Sequence, residues 1–178
     1  NCLIDEWIRK NSEFKFDKDG LIATKGIRNE IIIEQAQELY LNRSDKEKLS
    51  LDTKDFDISF VRGLNLADGT TTLTDFTAKI ISSALISFSN IFKNADLKVL
   101  VCGGGRKNNY LINAIKKNVS TKCIIQLIDE YGIDGDYVES QAFAYLAIRS
   151  YLNLPISFPE TTGCSRPSTG GKIIEKLN

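Results

Sequence analysis

Three consecutive glycines, Gly103, Gly104 and Gly105, followed by Asn108, are the residues of this chain best suited to chemistry. Glycine carries no Cβ, so φ can turn positive and a ligand can come close to the backbone. A helix opening at Asn108 would add unpaired N–H groups and a positive dipole end, which favour an anion or a polar ligand. That combination points to a nucleotide site, although an ordinary strand-to-helix turn would use the same residues. GGGRKN is not the dinucleotide fingerprint, because the third glycine is missing at the required spacing and no acidic ribose partner follows the next strand. The tail TTGCSRPSTGGKI is not a phosphate loop either. Arg166 stands where its first glycine belongs, and Ile173 follows Lys172 where Ser or Thr is needed.

The remaining candidates are carboxylates. The chain contains no histidine, which removes Ser-His-Asp and Cys-His nucleophilic catalysis and leaves acid-base work to Asp, Glu or Lys. Asp129 and Glu130 directly follow the second expected strand, where open α/β sheets place ligand groups, and turn residues would stand there too. FKFDKDG does not make a calcium loop, since Lys15 would fill its first ligand position and Gly26 its last. It reads as a turn. Cys2, Cys102, Cys123 and Cys164 form no CxxC pair, so no zinc spacing is present and a reduced, cytoplasmic setting is the simplest expectation.

These residues need elements to hold them. Val99, Leu100 and Val101 predict a buried strand, and the segment from Asn108 to Asn118 a helix with Leu111, Ile112 and Ile115 inward. CIIQLI predicts a second strand, parallel to the first because a helix crosses between them. Upstream, Cys2 to Lys10 reads as a helix with Leu3, Ile4, Trp7 and Ile8 on one face. A second helix is expected from about Asn29 to Leu41, with Ile32, Ile33, Ala36, Leu39 and Tyr40 at helical spacing, then a polar surface connection from Asn42 to Asp57. A long helix is expected from Thr72, with Thr72 and Asp75 as a capping box and Leu73, Phe76, Ile80, Ala84, Phe88 and Ile91 as its apolar stripe. A final helix should end before Pro155. The fold class is α/β, with helices around a small, partly parallel sheet.

The 178 residues are enough for one sizeable core, and 42% hydrophobic content fits a soluble globular protein. Lysine plus arginine equals aspartate plus glutamate at 23 each, so no net field draws the chain to nucleic acid or an anionic membrane. No apolar run is long enough for a membrane span. The chain starts at Asn1 and contains no methionine, which leads to the expectation of a processed chain or one taken from a longer protein.

NCLIDEWI, LTDFTAKII, VCGGGRKNNYL, DEYGIDGDYVESQAFAYLA and TTGCSRPSTGGKI, in that order, resemble the C-terminal half of the anhydro-N-acetylmuramic acid kinase family over nearly the whole chain. The resemblance implies one lobe of the actin-like ATPase (ribonuclease H-like) sugar kinase fold spanning residues 1–178. It also implies ATP and Mg²⁺ as cofactors, an amino-sugar substrate, an N-terminal lobe as partner on the same or another chain, and a homodimer. Gly103, Gly104, Gly105 and Asn108 match the family's site for the adenosine end of ATP. Glu139, in DYVE, matches a carboxylate expected to hold the sugar or a water, although a helix N-terminal acid would also be favoured there. Asp129 and Glu130 are taken with it as substrate contacts. The family's GTSxDG phosphate loop is absent, and its catalytic aspartate, in DTGPGN, would lie upstream of Asn1, so no catalytic residue is assigned here. SLDTKDFD departs from the family's KSTGRE-like pattern. The alternatives are a non-catalytic nucleotide-binding remnant and a lobe of another hexosamine kinase. An exposed apolar surface around Leu3, Ile4 and Trp7 would favour the divided kinase, and a polar surface there the remnant.

Overall fold

The computed structural model describes residues 2–41, 56–91, 96–119, 123–172 and 174. Its architecture is α/β, with helices around a parallel pair of strands. Helix α1 (Cys2–Asn11) sets Ile4, Trp7 and Ile8 on one face, and all three are buried. They meet Ile58, Val61 and Leu73 in a core to which each fully buried large side chain contributes about 1.5–3 kcal/mol. The apolar surface expected around Ile4 and Trp7 is therefore not exposed. It packs against this chain's own helix Leu66–Ile91.

Helix α2 (Glu30–Leu41) is capped by Asn29, whose Oδ1 accepts from Ile32 N at 3.1 Å. It buries Ile33 and Ala36 against Phe76, but Leu39, expected inward, is exposed. Most of the expected connection from Asn42 to Asp57 lies outside the described residues. Its end is described, where Phe56 stacks on Tyr40 at 5.4 Å and meets Phe76 edge-on at 6.3 Å.

Helix α3 (Leu66–Ile91) begins six residues before the expected Thr72. Its cap is Asn65, whose Oδ1 accepts from Asp68 N at 2.9 Å while its Nδ2 donates to Asp68 Oδ2 at 2.6 Å. Thr72 and Asp75 are interior residues, not a capping box. Thr72 Oγ1 accepts from Asn29 N at 3.1 Å, and Asp75 accepts from the Tyr110 hydroxyl at 3.2 Å. The threonine run is tolerated because Thr70, Thr74 and Thr77 each donate a hydroxyl to the carbonyl four residues back, at 2.7, 2.7 and 2.8 Å. Along the second half of α3 the buried face is Ala78, Ser82 and Ser89, whereas Ala84 and Phe88 are exposed.

Strand β1 (Leu97–Val101), helix α4 (Asn109–Asn118) and strand β2 (Cys123–Leu127) form the expected parallel unit, in register from Leu97 opposite Cys123 to Val101 opposite Leu127. Leu111, Ala114 and Ile115 of α4 pack with Ala78 of α3 and Ile125 of β2. Helix α5 (Val138–Tyr151) ends before Pro155 as expected, but buries none of its residues. A short α6 (Pro159–Thr162) follows. Among the described residues, no helix is long and apolar enough to cross a membrane, and the four cysteines are free.

Gly69 lies where α3 crosses α1, and a Cβ there would fall inside the buried Trp7 indole. Trp7 is in turn fixed by donation from Nε1 to Leu66 O at 3.1 Å. Gly69→Ala is expected to destabilise the chain by about 1–3 kcal/mol, read as a lower urea midpoint at constant slope. An unchanged midpoint would contradict this packing.

Candidate functional site

The matched register of the two strands makes their following loops emerge side by side. The first is the glycine turn. Gly103 has φ 76°, which favours glycine, and its N–H donates to Gly135 O, in the second loop, at 2.8 Å. A Cβ built on Gly103 or Gly104 would meet nothing within 4 Å, so the turn presents an open face.

Arg106 joins the two loops. It is 6% exposed, and it donates from Nε to Asp129 Oδ2 at 2.7 Å, from Nη2 to Asp129 Oδ1 at 2.9 Å, from Nη1 to Asp136 Oδ1 at 2.5 Å and from Nη1 to Gly103 O at 3.1 Å. Asp134 lies 3.6 Å from Nη2, and Lys107 pairs with the other oxygen of Asp136. A planar fork of five donors meets this arrangement, which a lysine cannot reproduce. The hydrogen bonds from Arg106 hold the Asp129 carboxyl well below its ordinary range, at about 2, and those from Arg106 and Lys107 lower Asp136. Gly135 belongs to the same joint, since a Cβ there would overlap the Arg106 side chain.

The glycine turn also borders a cleft of about 560 Å³ lined by Asp5, Phe16, Asp17, Lys18, Asp19, Gly104, Gly105, Lys107 and Asn108. Asp17 is spent on the fold, because its oxygens accept from Ile22 N at 2.7 Å and Ala23 N at 3.0 Å. Burial raises the Asp5 carboxyl above its ordinary range. Asp19 and Lys18 are exposed on the rim.

The structure thus brings together Gly104, Gly105 and Asn108 of the expected site, with Gly103 leading into the turn. Asn108 is 4% exposed and its Oδ1 accepts from Leu111 N at 2.9 Å, so its side chain caps α4 while it borders the cleft. Asp129 is bound to Arg106. Glu130 closes its own turn, accepting from Leu127 N at 3.0 Å and from Gln126 Nε2 at 3.1 Å. These two of the three carboxylates expected as substrate contacts are therefore engaged in shaping the second loop. Glu139 is exposed in the first turn of α5 and is not among the residues that line the cleft.

Sequence reading had missed Arg106, Phe16 and Asp5. The signal for Arg106 was present as an arginine just after the glycines and an acidic loop, Asp129, Asp134 and Asp136, after the paired strand.

A parallel strand–helix–strand unit with an open glycine turn beside a cleft makes this an α/β protein with its candidate site at the end of the paired strands. Residues 1–176 match the family model of anhydro-N-acetylmuramic acid kinase. An anhydro-N-acetylmuramic acid kinase of Pelagibacter ubique (strain HTCC1062) is 47% identical over 98% of this chain and 47% of its own length. Those of Zymomonas mobilis subsp. mobilis and Rhodospirillum rubrum are 37% and 36% identical, over 97% and 96% of this chain and 46% and 44% of theirs. The chain belongs to the anhydro-N-acetylmuramic acid kinase family. It spans about half the length of the curated relatives it matches.

Because the Arg106 hydrogen bonds hold the Asp129 carboxyl at about 2, below its ordinary 3.8, its contribution to stability is present above the unfolded value and is lost as pH falls through about 2. In Arg106→Gln the Asp129 carboxyl is expected to titrate near its ordinary value, read by carboxyl ¹³C NMR. A titration that stays near 2 in the variant would mean that Arg106 is not the cause.

Proposed function

We propose that this chain is the nucleotide-binding half of an ATP-dependent kinase that opens the 1,6-anhydro ring of anhydro-N-acetylmuramic acid with water and phosphorylates O6. The product is N-acetylmuramic acid 6-phosphate, within peptidoglycan recycling in the cytoplasm. The observation that carries this reading is the 47% identity to a kinase of that name over 98% of the chain. The actin-like ATPase fold, the pairing with a complementary half and homodimerisation belong to the same proposal.

Phosphoryl transfer depends mostly on positioning and charge stabilisation. On this reading Gly103, Gly104 and Gly105 receive the adenosine end of ATP, with Asn108 fixing the helix start beside them. Glu139 faces the sugar or a water once the complementary half is present, and that half supplies the general base and the phosphate loop. Among the described residues, no group of three or more Cys, Asp or Glu is placed to hold a metal ion. Mg²⁺ is normally held by substrate phosphates with only one or two carboxylates, a demand that Asp5 and Asp19 on the cleft can meet. When bound, Mg²⁺ would neutralise phosphate charge.

Incubation of 1,6-anhydro-N-acetylmuramic acid with Mg²⁺-ATP, followed by mass spectrometry, is expected to give the 6-phosphate when this chain is mixed with a complementary family half, and none with the chain alone. No product in the mixture would favour the non-catalytic remnant or another hexosamine. Gly104→Val should leave the fold intact, since a Cβ there meets nothing within 4 Å, and weaken ATP binding by adding bulk where the ligand approaches. Unchanged affinity in the folded variant would contradict the assignment.

A further inference from the structure

Phe16 borders the cleft beside Gly104 and Gly105 with 56% of its surface exposed. An aromatic ring left in water forgoes the stabilisation of burial, and the backbone around this one is fixed. The neighbouring Asp17 carboxylate is bound by the Ile22 and Ala23 amides. Three residues further on, Gly20 docks on the start of α4 so closely that a Cβ would stand 2.6 Å from Asn108 Oδ1. The ring is thus presented from a rigid turn that is itself seated against the glycine turn. Around it are charged groups of both signs, Lys18, Lys107, Asp5 and Asp19. A ligand that suits this lining has one flat aromatic part and one charged, hydroxyl-bearing part.

We propose that Phe16 is the platform on which the base of the bound nucleotide stacks. The inference rests on the nucleotide reading above and adds the residue that selects for a base-bearing ligand over a bare phosphate chain. Phe14 is 62% exposed and is not among the cleft-lining residues, so it serves as an internal control.

The test is calorimetric titration of the full chain and its Phe16→Ala, Phe16→Trp and Phe14→Ala variants with Mg²⁺-ATP and with Mg²⁺-tripolyphosphate, after circular dichroism has verified the fold of each. Phe16→Ala is expected to weaken ATP binding about tenfold, the scale of one lost base–aromatic stack. Phe16→Trp and Phe14→Ala should bind ATP like the parent, and tripolyphosphate should bind all four chains alike. ATP binding by the parent with undiminished affinity in Phe16→Ala overturns the platform and leaves the nucleotide reading standing. An equal loss for tripolyphosphate in Phe16→Ala also overturns it, since the side chain would then be shaping the cleft instead of stacking. ATP binding by none of the chains overturns the nucleotide reading and the platform together.

Discussion

Arg106 divides its donors between the carbonyl of Gly103 and the carboxylates of Asp129 and Asp136, and the shape of the ligand-facing end of the sheet depends on that division. Two parallel strands in register deliver two loops to one edge. One loop opens with three glycines, which have little conformational preference of their own. The other carries Asp129, Asp134 and Asp136, which would repel one another. A single guanidinium resolves both problems, since it fixes the glycine turn from below and neutralises the acidic loop beside it. The open face of Gly103 and Gly104 is then free for a ligand.

The scaffold beneath this joint is helix α3, which is both the longest element described and an unusual one. Its first half is buried although it reads DGTTTLTD, because the hydroxyls are satisfied within the helix or by neighbouring segments. Thr71 Oγ1 lies within hydrogen-bond distance of both Ala23 O and Ala67 O. Through these contacts α3 holds the segment that follows Phe16 and Asp17, while its second half carries α4. The two sides of the cleft are therefore mounted on one rigid helix.

Much of this was legible in the sequence. The alternation of strand, glycine turn and amphipathic helix fixed β1, α4 and β2, and Asn108 declared itself as a cap. Helix α1 was equally plain, since Ile4, Trp7 and Ile8 follow helical spacing. What was not legible came from side chains whose partners are distant in sequence. The start of α3 was misjudged because a run of threonines is poor in helix propensity, and only tertiary burial with internal hydroxyl bonds makes it helical. Leu39 and Phe88 satisfy the apolar pattern yet are exposed, since periodicity marks a face without saying what covers it. After the second strand Asp129 and Glu130 suit ligand groups and turn residues alike, and the side chain and amide that hold them, Arg106 and Leu127 N, are set by the fold.

Helix α5 is the part least explained by the core, since Phe143, Tyr145, Ile148 and Tyr151 are all exposed. The central claim concerns the glycine turn, and the direct measurement is an amide NMR titration of the chain with Mg²⁺-ATP. Expected are shifts concentrated at Gly103, Gly104 and Gly105 and at the adjoining turn from Lys18 to Gly20, with α5 unmoved. Shifts confined to other elements, or none at millimolar nucleotide, would contradict a nucleotide site at this turn.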